Sequence, residues 1–106
     1  METPAAVQRM IEATNEADRE GFVASFTEDA YLEDWGRKFH GHAGVARWNE
    51  TDNIGKNAHF AATATREEQG HYVVTLVVSG GGFNGTSDIA FEVQGDLISS
   101  MIISPD

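Results

Sequence analysis

At 106 residues the chain makes a single domain (residues 1–106), large enough to bury roughly two-thirds of its unfolded surface in one core. Asp and Glu number 17 against 7 Lys and Arg, and the net charge of −10 repels nucleic-acid phosphates and anionic membranes, so neither is expected as a partner. Six Phe, two Trp and two Tyr argue against disorder, and the lack of cysteine excludes disulfides and thiolate metal sites.

No basic-then-apolar opening and no bilayer-length apolar run is found, so a soluble cytoplasmic protein is expected. Thr3-Pro4 reads as a helix start, a capping hydroxyl followed by proline at the first helical position. Val7, Met10, Ile11 and Thr14 recur at helical spacing, with Gln8, Arg9, Glu12 and Glu16 turned outward. Asp18 caps a second, shorter helix with Phe22, Val23 and Phe26 on one face. Thr27-Glu28-Asp29 breaks it and leads into a strand-like run, Ala30-Tyr31-Leu32-Glu33-Asp34-Trp35. Gly36 and Gly41 punctuate the next stretch, and a third helix over about residues 42–50 presents Val45 and Trp48 three apart.

From Asn57 the period changes to that of strands: residues 57–66, 71–79, 86–94 and 97–103. Gly70, Asn84-Gly85 and Gly95-Asp96 are the turn points, and Asn84-Gly85 suits a tight hairpin. In the third of these strands Ile89, Phe91 and Val93 face one way, Asp88 and Glu92 the other. Gly80-Gly81-Gly82 is expected to bend the chain; no helix comes after it to cradle a phosphate. The result is an α+β domain, with a strongly curved antiparallel or mixed sheet wrapped around three N-terminal helices and a cavity at its open end.

Asp34 is the residue that asks for chemistry. Alternation puts it on the side of Leu32, and an inward carboxylate is costly unless paired or protonated. It is either a general base whose proton affinity is raised by an apolar cup, or a structural carboxylate paired with Arg37. His59 falls on a strand and could act as donor or proton shuttle; Tyr72, near a strand start, could supply a phenol. Trp35 and Trp48 could wall a pocket, or simply pack in the core. His40 and His42 flank a glycine turn without converging, so no metal is expected.

The run from Val7-Gln8-Arg9-Met10 through Asn15, Asp18, Phe22, Phe26, Asp29-Ala30 and Glu33-Asp34 resembles the opening of nuclear transport factor 2-like domains. Phe39-His40-Gly41 with Val45 and Trp48 is similar to the start of their third helix. Ketosteroid isomerase and the SnoaL-like polyketide cyclases belong to this superfamily. The resemblance implies a cone-shaped domain, no cofactor, a small apolar molecule as partner and a homodimer. It also implies that Asp34 stands where the isomerase has its base, and that Met10 and Ile89 stand where its enolate-holding tyrosine and aspartic acid would be. Neither of those two can donate a hydrogen bond, so isomerase activity on a steroid is not expected. Met10, Trp35, Trp48, Ile89 and Phe91 are the expected pocket residues. Three functions compete: a general-base isomerase or cyclase acting on a small apolar carbonyl compound; a non-catalytic binding or dimerisation module; and an epoxide hydrolase. The last needs an aspartate–arginine–aspartate cluster and ranks lowest, because no arginine occurs after Arg66 in the later strands.

Overall fold

The structure, a computed structural model, describes residues 1–105. Two helices, α1 (Ala5–Asn15) and α2 (Arg19–Ala24), precede strands β1 (Phe26–Asp34) and β2 (Arg37–His40). Helix α3 (Gly41–Asp52) and a 3-10 turn (Ile54–Lys56) then lead to β3 (His59–Glu68), β4 (His71–Ser79), β5 (Gly85–Gln94) and β6 (Leu97–Ile103). All six strands form one sheet in the order β2-β1-β6-β5-β4-β3. It is antiparallel throughout except where β1 runs parallel to β6. Register shifts in the β1–β6, β3–β4 and β5–β6 pairings bend the sheet. One of them lets Ile98 and Met101, three residues apart, both reach the core.

The helices fill the concave face. Val7, Met10 and Ala13 of α1 with Val45 and Trp48 of α3 pack in one cluster with Leu32, Val74, Leu76, Phe91 and Met101 from the sheet. Each large apolar side chain fully buried there contributes about 1.5–3 kcal/mol, so this cluster dominates stability. Asn15 fixes α1 to β3: its amide donates to the Phe60 carbonyl at 2.9 Å and its oxygen accepts from the Phe60 N–H at 2.8 Å.

Several expectations from the sequence need correction. Thr3 does not cap α1; its hydroxyl pairs with that of Thr65, and Pro4 holds the cap position. Asp18 does cap α2, accepting from the Gly21 N–H at 3.0 Å. Phe26 opens β1 instead of ending α2, yet it keeps its contact with Phe22 at a ring-centroid distance of 5.2 Å. Strand β2 is not among the expected elements. The tight turns with two left-handed residues fall at Trp35-Gly36 and Gln69-Gly70. Asn84-Gly85 makes no tight hairpin: Asn84 braces a longer loop, bonding to the backbone of Gly80 and Gly82.

Gly80-Gly81-Gly82 does bend the chain as β4 ends. At Gly80 φ is +139°, and a Cβ there would lie 2.5 Å from the Asn57 carbonyl oxygen. The Gly81 N–H donates to the Lys56 carbonyl at 2.7 Å, so this loop is strapped to the 3-10 turn. Gly80→Ala should therefore destabilise the domain by about 1–3 kcal/mol in urea denaturation, through strain and a backbone clash. A change below about 0.5 kcal/mol, the range of ordinary surface substitutions, would show that the loop gives way freely.

Candidate functional site

At one end of the sheet the helices stop short and leave a cavity of about 600 Å³, within the range of small-molecule sites. Its walls come from the end of β1, the start of β5, the facing parts of β3, β4 and β6, and the C-terminal end of α3. Trp48, Phe60, Val78, Ile89 and Ile103 are among its apolar lining residues, and Asp34, Arg37, Asp52, Lys56 and Asp88 bring charge to it.

Asp34 shares the inward face of β1 with Ala30 and Leu32, and its side chain is 16% exposed. The two-residue turn at Trp35-Gly36 places Arg37 directly across from it in the β1–β2 ladder. Arg37 Nη2 donates to Asp34 Oδ2 at 2.7 Å. Trp48 Nε1, one helix away, donates to the same oxygen at 2.9 Å. Among the described residues no buried side-chain oxygen lacks a partner, and no donor reaches Oδ1. That oxygen is therefore accessible, on a residue that lines the cavity. The carboxylate is held by one oxygen and leaves the other without a protein donor.

Arg37 also reaches Asp52, with Nη2 at 3.0 Å from Oδ1 and Nη1 at 3.3 Å from Oδ2. Burial pushes the Asp52 carboxyl upward, but hydrogen bonds from Arg37 and Thr51 and the charges of Arg37 and Lys56 outweigh it and hold Asp52 below the usual carboxylate range. An aspartate–arginine–aspartate cluster thus exists, built from β1, β2 and α3. Its arginine sits on β2, not on the later strands where the sequence offered none. Lys56, the other basic residue of the lining, makes no ion pair with a described residue.

The structure brings together only part of the expected site. Trp35, Trp48 and Ile89 line the cavity with Asp34. Met10 and Phe91 do not: both are fully buried in the core, where the cone is already packed solid. His59 is exposed, because it alternates with Phe60 and Phe60 takes the inward side. Tyr72 shares the inner side of β4 with Val74 and Leu76, but it sits opposite Phe91, away from the cavity lining. Asp88 also lies on the cavity lining, but its carboxylate is engaged by Thr75 and Arg66, at 2.6 and 3.7 Å, with no shift of register. His42 is engaged with the Phe26 carbonyl at 2.8 Å, and His40 packs against the Tyr31 ring. No cluster of three or more His, Asp or Glu suited to a metal occurs among the described residues. Phe83, Asp52, Asn53 and Lys56 were missed because their place depends on where α3 ends and how the glycine loop folds.

A family model described as the SnoaL-like domain matches residues 7–101. A search of curated proteins finds no match. Among solved structures, a provisionally assigned polyketide cyclase from Sinorhizobium meliloti superposes with a TM-score of 0.85 at 21% identity, covering 96% of this chain and 95% of that one. The Δ5-3-ketosteroid isomerase from Mycobacterium sp. gives 0.79 at 19%, covering 96% and 91%. A Mycobacterium tuberculosis protein in complex with estradiol-17β-hemisuccinate gives 0.77 at 20%, covering 99% and 95%. At these identities the likeness is one of fold.

The Arg37 cluster yields a pH prediction. A carboxylate whose folded value is lowered stabilises the fold above its unfolded value, and that contribution is lost as pH falls through the folded value. Arg37→Met should therefore cost stability near neutral pH, and the difference from wild type should shrink as acid titrates Asp52 through its lowered range. Urea midpoints measured at neutral and acidic pH check this; an equal difference at both would rule out the charge cluster as its source.

Proposed function

Since the chain belongs to the SnoaL-like domain family of the nuclear transport factor 2-like superfamily, we propose that its cup binds a small apolar molecule, on which Asp34 acts as general base. The reaction class is an isomerisation or cyclisation of a carbonyl compound. One observation carries the reading: a carboxylate on the wall of an apolar cavity of about 600 Å³, with one oxygen anchored by two donors and the other left accessible.

In this mechanism Oδ1 of Asp34 takes a proton from the carbon beside the ligand's carbonyl. Trp48 and Arg37 hold the carboxylate by its other oxygen, so orientation is settled before the ligand arrives. Met10 and Ile89 offer nothing to the developing oxyanion; Lys56, on the cavity lining, is the group we assign to it. His59 and Tyr72 have no part in this reading, since neither is among the lining residues and His59 turns to the opposite side from Phe60.

A second reading keeps the cup and drops the chemistry. Two donors already occupy Asp34 Oδ2, which fits a carboxylate whose work is to join β1, β2 and α3. In that case the protein binds without turnover. A homodimer over the convex face, where Val77 is left exposed, is compatible with either reading.

A panel of small cyclic enones and epoxides separates the readings. With the base in place, Asp34→Asn should lower turnover of a reactive panel member by roughly 10²–10⁴-fold while binding changes far less. Undiminished turnover in Asp34→Asn would remove Asp34 as the base. Turnover confined to epoxides would move the chemistry to the aspartate–arginine–aspartate cluster.

A further inference from the structure

Two aromatic rings at the mouth of the cup have no structural reason to be there. Trp35 is 60% exposed and Phe83 is 55% exposed, and both line the cavity. They come from different elements: Trp35 follows β1, and Phe83 lies in the loop between β4 and β5, with only β6 between β1 and β5 in strand order. Each ring would cover more apolar surface in the core than it does at a rim.

Trp35 is also in the wrong backbone conformation for its type. Its φ is +51° and that of Gly36 is +83°, the pair of left-handed residues that a two-residue hairpin turn requires. Asparagine or aspartate followed by glycine fills such turns at little cost, whereas a bulky residue there is strained. The Phe83 ring, for its part, lies over Gly85, where a Cβ would come 3.1 Å from the ring tip. Strain on one side and a cleared backbone on the other both serve to set a ring at the mouth.

We propose that Trp35 and Phe83 form an aromatic clamp that selects flat, ring-bearing ligands for the cup. The inference rests on the cup being a small-molecule site, and adds the ligand's shape and the residues that read it. A flat ring system entering between them gains offset or edge-to-face contact with two π faces, whereas a puckered saturated ring of the same skeleton gains area alone. The cavity volume suits one such molecule. Retaining tryptophan in a strained turn then means that stability has been given up for recognition.

The experiment compares 2-naphthol with decahydro-2-naphthol, the same skeleton flat and puckered, by calorimetric titration of wild type, Trp35→Asn and Phe83→Ala. Wild type should prefer 2-naphthol by roughly tenfold, and each substitution should reduce that preference by about three- to tenfold. Trp35→Asn should at the same time raise the thermal midpoint by roughly 4–8 °C, since it puts an Asn-Gly pair into the turn. A merely structural Trp35 predicts the opposite, a lower midpoint. Equal binding of the two probes by wild type, or a preference that survives both substitutions, would overturn the clamp and leave the cup reading intact. Binding of neither probe to wild type would sink the cup reading and the clamp with it.

Discussion

Trp48 Nε1 and Arg37 Nη2 converge on one oxygen of Asp34, and the arrangement of the site depends on that convergence. It joins three elements at the cavity wall: β1 through Asp34, β2 through Arg37 and α3 through Trp48. Hydrogen bonds to a charged acceptor are worth about 1.5–3 kcal/mol each, and less from the half-exposed Arg37, so the pair matches the burial of at most about two core side chains. The clamp therefore aims the carboxylate without holding the fold together. That division of labour lets an acid sit at the wall of an apolar cup: the packed cone is stable by its own burial, and the desolvation cost at Asp34 is offset locally by two directed donors.

The cone is solid at one end and open at the other for a reason that can be traced along α3 and β5. Met10 of α1 and the paired Phe91 and Met101 of the sheet belong to one core cluster and are fully buried there. Further along, α3 ends at Asp52 and the chain turns through Ile54–Lys56, fixed by the Asn49 side chain, which accepts from the Ile54 N–H and the Asn53 amide. Beyond that point the Trp48 ring is what the helical layer still offers to Ile89, Val78 and Phe60. The cavity is thus a consequence of where one helix stops. Polar groups that arrive there, Asp34 and Arg37 among them, meet low dielectric on one side and water on the other, which strengthens their pairing without isolating it.

Periodicity made the architecture legible more fully than the site. Strands β4 and β6 lie where alternation and turn residues place them, and Val45 and Trp48 of α3 are both buried. Alternation along β1 was enough to put Asp34 inward with Leu32. Strand β2 escaped notice because Arg37, Lys38 and His40 leave only Phe39 facing in, too short and polar a run to announce a strand. The Asp34–Arg37–Asp52 cluster was hidden for the same reason, since it exists only once β2 folds back on β1. Met10 and Phe91 were expected in the pocket because an inward side chain and a pocket side chain look the same in a sequence; depth along the cone separates them. Alternation also carries the answer for His59, given which of His59 and Phe60 faces in, and hydrophobicity makes that Phe60.

Hydrogen exchange of the two indole N–H groups, monitored by ¹⁵N NMR, tests the Asp34 clamp most directly. The indole proton of Trp48 should exchange far more slowly than that of the exposed Trp35, and Asp34→Ala should abolish that protection with the fold retained. If the two indoles exchange alike in the wild type, or if Trp48 stays protected without its carboxylate partner, the oxygen is not anchored as described and the carboxylate is not aimed by its neighbours.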